Sequence, residues 1–150
     1  MAEDRDELLQ HYRQMREAMS TAIAGLSDEQ LTERTLDGWS VKDHLLHLAL
    51  WDDVRADEVE RISAGQDTVW RMNGEQDAAY SALGYALRTD ISVEQVRWEY
   101  EHSRSRLLDA IASATARGLD GGLYGEAGLR STHEAQHTGW IVRWRGERGY

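Results

Sequence analysis

Apolar residues recur every three or four positions along most of the chain, the spacing that gathers side chains on one face of an α-helix. Leu8, Tyr12, Met15, Met19, Ala22 and Leu26 form the first such stripe. Gly25 ends it, and Ser27-Asp28-Glu29-Gln30 reads as a cap followed by a short extra turn. Ser40, with Asp43 three residues on, predicts the start of a second helix whose stripe His47, Leu50, Trp51, Val54, Ile62 runs to Gly65. A polar connection from Ala64 to Gly74 leads to a third stripe, Gln76, Tyr80, Leu83 and Leu87, weakened by Gly84 at its middle. Ser92 and Gln95 open a fourth helix, whose apolar face Val93, Val96, Tyr100, Ser103, Leu107, Ile111 and Ala114 lasts until Gly118. From Gly118 to Gly128 the glycines predict a flexible loop. Ser131 and Glu134 then form a capping-box pattern before a last stripe, His133, His137, Trp140, Ile141 and Trp144. No run alternates with the period of a strand, and no segment repeats. The prediction is an all-α bundle of four long helices and a shorter one.

Composition narrows what such a bundle does. A chain of 150 residues makes one domain, 1–150, able to bury a core without staples, so any metal serves function before folding. There is no cysteine, which removes protein thiolate as nucleophile, redox centre or ligand and leaves nitrogen and oxygen donors. The net charge of −10 repels a phosphate backbone, and the arginines are scattered, so nucleic acid is not an expected partner. No apolar run approaches the roughly 20 residues that span a bilayer. With an acidic N-terminus, the expectation is a soluble cytoplasmic protein acting without a membrane.

Against this background the histidines stand out. His47 shares a helix face with Trp51 and Val54, while His133 and His137 share the face of Trp140 and Trp144. Two histidines four apart point the same way, and a third from another helix completes a triangle of imidazoles able to hold a divalent cation. Taken singly, each is more often a hydrogen-bonded core histidine; three on inward faces are harder to explain separately. His44, one turn before His47, is either a second-shell group or an exposed helix residue. His11 and His102 fall off the stripes and are expected at the surface.

The string His133-Glu134-Ala135-Gln136-His137 also matches the H-E-x-x-H pattern of zinc proteases. The extended pattern needs a histidine where this chain has Arg143, and no strand edge is available to hold an extended peptide. A protease is therefore disfavoured. Glu134 is read first as the capping acid and second as a catalytic base. Tyr80 and Arg143 are candidates for orienting an anionic substrate near a metal pocket. The acidic segments Asp52-Asp53, Asp57-Glu58 and Glu99-Glu101 read as solvated helix faces.

Gly38-Trp39-Ser40-Val41-Lys42-Asp43, then His47-Leu48-Ala49, and a C-terminal His133-x-x-x-His137 leading to Ile141 and Trp144-Arg145, resemble the DinB-like superfamily over nearly the whole chain. The resemblance implies a four-helix bundle of up-down-down-up topology, often a homodimer, with a divalent metal, zinc or nickel, held at one end by His47, His133 and His137. Some members are S-transferases or maleylpyruvate isomerases that use a low-molecular-weight thiol such as mycothiol or bacillithiol. Others are self-resistance proteins that hydrolyse a reactive small molecule, and the segment from Gly38 to Trp70 looks closer to these two groups. The superfamily name does not imply DNA binding. His44 stands where an aliphatic residue is commoner, and Glu134 is not a general feature. The expected function is metal-dependent activation of a thiol for transfer to a small electrophile. A metallohydrolase and a non-catalytic metal- or ligand-binding module are the alternatives.

Overall fold

The computed structural model describes residues 2–70, 73–126 and 128–150, so Arg71 and Met72 of the polar connection and Ala127 of the glycine-rich loop lie outside the described residues, as does Met1. Within them the chain forms α1 (Arg5–Ile23), α2 (Asp28–Thr32), α3 (Val41–Ser63), α4 (Gly74–Arg88), α5 (Val93–Ala112), a 3-10 turn (Gly121–Leu123) and α6 (His133–Arg148). The only strand-like pairings among the described residues are the isolated bridges Ala2 to Asp120 and Arg34 to Ser40. No helix is long and apolar enough to cross a membrane among the described residues.

Most helix starts follow from their caps. Asp4, Ser27, Ser40, Asn73 and Ser92 each accept a backbone N–H of the first turn, and Ser27 with Gln30 and Ser40 with Asp43 close full capping boxes. Such a cap contributes about 1 kcal/mol. The expected box at Ser131 and Glu134 does not form: Thr132 takes the N-cap position of α6 without a side-chain hydrogen bond. Ser131 Oγ instead accepts from the N–H of His133 at 3.2 Å.

Helix α3 is the centre of the bundle, packed most extensively against α5, while α1 lies along α6 and α5. Two apolar clusters fill the interior. Leu8, Tyr12, Ala56, Val59, Leu107 and Ile111 belong to one, and Met19, Val41, Leu45, Leu48, Ile141 and Trp144 to the other. Full burial of each large side chain contributes about 1.5–3 kcal/mol. Along α3 and α5 the boundary between the clusters falls at Asp52 and Arg104, and a buried charge network occupies it.

That network corrects the reading of Asp52 and Glu58 as solvated, since both are buried. Arg104 donates to Asp52 from Nε at 2.9 Å and to Glu134 from Nη2 at 2.6 Å. Arg16 donates to the same two carboxylates at 2.9 and 2.8 Å. Two guanidiniums thus offset two carboxylates, which is the condition under which buried ions are tolerated. Glu58 is bound by Arg61, Thr68 and the N–H of Val69.

The periphery departs from the pattern in three places. Helix α4 buries no residue, and Leu83 and Leu87 are 54% and 73% exposed where the stripe placed them inward. Trp140 is likewise 47% exposed on α6. Gly84 has a packing reason: a Cβ there would sit 2.7 Å from Cδ2 of Leu50, so glycine lets α4 approach α3. The segment between α5 and α6 is anchored, with Leu119, Tyr124 and Leu129 buried and the Tyr124 hydroxyl donating to Gly118 O at 2.6 Å.

Candidate metal centre

Position 47 of α3 and positions 133 and 137 in the first turns of α6 face each other where the two helices pack. Nε2 of His133 lies 3.0 Å from Nε2 of His47 and 3.0 Å from Nε2 of His137. One nitrogen from each of the three rings lies within 4.8 Å of the others. Tetrahedral nitrogens at 2.0–2.1 Å from zinc stand roughly 3.3 Å apart, so the two edges that meet at His133 are within a few tenths of an ångström of a ligand set.

The rings are also in the protonation state a cation requires. Burial, reinforced by His133 and His44, pushes His47 down to about 3. Burial first, then His133, His44 and His47, holds His137 well below the usual imidazole range. His133 is lowered by burial and by the guanidinium of Arg55. Neutral imidazoles present lone pairs without proton competition. The donor set fits a divalent cation of zinc or nickel type.

His44 is fully buried, so it is not the exposed helix residue of the alternative reading. Its Nδ1 is 2.7 Å from Nδ1 of His137, and its Nε2 is 3.1 Å from the carboxylate of Asp37 and 3.3 Å from Thr35 Oγ1. A chain of hydrogen bonds therefore runs from His137 through His44 to a carboxylate, the arrangement that fixes the tautomer and tilt of a metal-binding ring. The loop that delivers Asp37 turns on Gly38, whose φ of +89° is a left-handed conformation that other residues resist. Trp39, next in that loop, packs edge-on against His47 at 5.2 Å and stacks on Tyr85 at 5.4 Å.

On the other side of His47 and His133 an open cleft of about 300 Å³ is lined by Trp51, Arg55, Asp77, Ser81 and Gln136 as well. His47, Trp51 and Arg55 follow one another at intervals of four along α3, so one helix face carries ligand, wall and cation. The four-residue spacing from His47 through Trp51 is the sequence signal that marks Arg55.

The other candidates are placed as follows. Glu134 follows His133 directly, but its carboxylate accepts from Arg16, Arg104 and, at 2.5 Å, the Tyr100 hydroxyl. Burial pushes it up, and Arg104 with Arg16 outweighs burial and holds it below the usual glutamate value. Tyr80 packs against Trp51 at 5.5 Å and Trp70 at 4.6 Å, behind the wall rather than among the lining residues. Arg143 is exposed and paired with Glu147 at 3.2 Å, so the structure does not bring it to the histidines. His11 is half-buried, its Nε2 2.6 Å from Ser131 O, in contrast to the surface place expected; His102 is exposed and stacks on Trp98.

The sequence profile of the DinB superfamily matches residues 11–141. The chain belongs to the DinB superfamily. No curated protein sequence matches it. Among solved structures, it is similar to an uncharacterised protein from Escherichia coli UTI89, with a TM-score of 0.76 and 14% identity over 97% of this chain and 94% of that one. It is also similar to the mycothiol-dependent maleylpyruvate isomerase, with a TM-score of 0.72 and 17% identity. That match covers 93% of this chain and 61% of the isomerase, and a histidine-to-alanine mutant of the isomerase gives a TM-score of 0.73. At these identities the likeness establishes the shared fold.

Proposed function

We propose that this DinB superfamily member is a metal-dependent enzyme that activates a low-molecular-weight thiol for transfer to a small electrophile. The observation that carries the reading is the convergence of three neutral imidazoles at the edge of an open cleft. His47, His133 and His137 hold the cation, zinc or nickel. Bound there, it supplies a Lewis-acidic charge that three neutral ligands leave undiminished and that stabilises an anionic sulfur at neutral pH. His44 and Asp37 orient His137, and the buried pairs of Glu134 with Arg16 and Arg104 hold the first turn of α6 so that His133 keeps its aim. The chain has no cysteine, so the sulfur comes from a separate molecule entering through the cleft. The isomerase of the same fold is itself named for its thiol, which supports a thiol over water as the nucleophile.

The test is elemental analysis of untagged, dialysed protein beside His47→Ala and His133→Ala, followed by assays of small electrophiles with and without added thiols. Near-stoichiometric metal lost in both variants, with turnover only when thiol is present, is expected. Turnover without thiol would transfer the reading to a metallohydrolase. Metal with no turnover in either condition leaves a binding module, and no metal after reconstitution overturns the proposal.

A further inference from the structure

Among the described residues the other strongly buried guanidinium has its acids. Arg104 is matched by Asp52 and Glu134, and the half-buried Arg16 shares the same two. Arg55, only 6% exposed, has none: its Nη1 donates to the carbonyl of Gly128 at 2.6 Å, and among the described residues no carboxylate comes within ion-pair distance of it. Nε and Nη2, the edge that pairs in a fork with a planar carboxylate, have no acceptor among the described residues. That edge is open to the cleft and is not sealed in the core, so a ligand can reach it. Arg55 lines the cleft that His47 and His133 also line.

A second orphan faces the same cleft from α4. Oδ1 of Asp77 is buried without a hydrogen-bond partner, although Asp77 lies near enough to Arg55 to feel its charge. An unpartnered buried acceptor asks for a donor. Ser81 Oγ accepts from the Trp51 indole at 3.1 Å, which keeps its own proton available on the lining.

We infer that this cleft is the substrate subsite, in which Arg55 holds a carboxylate of the electrophilic substrate and Asp77 accepts a hydrogen bond from a hydroxyl or ammonium group on the same molecule. The inference rests on the metal-dependent reading for its chemistry, but the subsite's recognition of ligand is a property of Arg55 and Asp77 themselves. A volume of about 300 Å³ admits a molecule of modest size, at the small end of ligand pockets. The fork of Arg55 fixes the carboxylate in plane and so presents the rest of the molecule to the side of the cleft where the histidines stand. Carboxylate is favoured over phosphate because both oxygens of a planar carboxylate match the free guanidinium edge, whereas a tetrahedral phosphate dianion would bring its further charge toward the Asp77 carboxylate on the same lining.

The test is calorimetric titration of zinc-reconstituted protein with ω-hydroxy acids of two to five carbons, their neutral amides and inorganic phosphate. Wild type is compared with Arg55→Met, Arg55→Lys and Asp77→Asn, and each sample's zinc content is measured. The best hydroxy acid is expected to bind wild type, to lose at least tenfold in Arg55→Met and several-fold in Arg55→Lys, and to exceed both its amide and phosphate by tenfold. Asp77→Asn lowers the preference for the hydroxy acid over the unsubstituted acid of the same length. Arg55→Lys keeps the charge and serves where Arg55→Met does not fold. Unchanged zinc with affinities within twofold across the variants overturns the subsite, as does failure of every acid to bind wild type. Absence of zinc, with Arg55-dependent acid binding intact, overturns the metal reading and leaves the subsite standing.

Discussion

Replacing His44 with alanine isolates the contact behind His137 in the candidate centre. The substitution removes the 2.7 Å contact that orients His137 and the link onward to Asp37, while leaving His47, His133 and His137 in the chain. Loss of such an outer partner typically weakens a metal site by about 10–100-fold. That corresponds to roughly 1.4–2.7 kcal/mol, since tenfold is about 1.4 kcal/mol. Because His44 is fully buried, the same change also opens a cavity and lowers global stability, so affinity must be read separately from folding. The assay is zinc competition against a chromophoric chelator at pH 7.5, with denaturant unfolding of the metal-free proteins alongside. His44→Asn, whose amide oxygen stands close to the place of Nδ1, is expected to recover most of the affinity while leaving part of the cavity. Zinc affinity of His44→Ala within twofold of wild type would show that the contact to His137 does not orient a ligand.

The charge network and the histidines make further measurable demands. Glu134→Gln leaves two buried guanidiniums short of one charge and is expected to cost about 3–5 kcal/mol at pH 7 in urea unfolding; a loss below about 1 kcal/mol would mean the network is solvated in solution. Glu134 is held below the usual glutamate value in the folded chain, so its contribution is complete above the unfolded value of about 4.3 and is lost as pH falls from there through the lower folded value. Wild type should therefore lose stability below about pH 5 more steeply than Glu134→Gln. In metal-free protein the depressed histidines act in the same direction at higher pH, because the unfolded chain takes up protons near 6.5 while His47 resists down to about 3. The unfolding free energy should fall by about 1.4 kcal/mol per pH unit for each such histidine below pH 6.5, and His47→Ala should reduce that slope by one proton. Gly118→Ala places a Cβ 1.9 Å from Ser63 Oγ and 3.3 Å from the Ala114 Cβ, so about 1–3 kcal/mol of destabilisation is expected by thermal unfolding, with Ser63→Gly relieving part of it.

The helices and the shared face of His133 and His137 were legible because both depend on short-range spacing. Caps at Ser40 and Ser92 and the four-residue interval of His133 and His137 are local facts, and the bundle turned them into structure without revision. What lay hidden depended on which residue of another helix arrives opposite. Glu134 fitted a capping box by sequence distance from Ser131, yet Arg16 and Arg104, 118 and 30 residues away, offer a buried carboxylate more than a backbone N–H offers an exposed one. His44 was ambiguous for the same reason: one turn from His47 on α3, it sits on a face that a single-stripe reading gives to solvent, but α3 is central and is buried on nearly every side. The opposite error befell α4, which packs chiefly on α3 and leaves Leu83 and Leu87 uncovered. Arg55 joins both lessons. Its spacing from His47 marks it as a neighbour of the site, and the absence of an acid within ion-pair distance distinguishes it from Arg104, which has two. A sequence shows which charges a helix carries, whereas the fold decides which of them are left without an answer, and in this bundle the unanswered one stands beside the histidines.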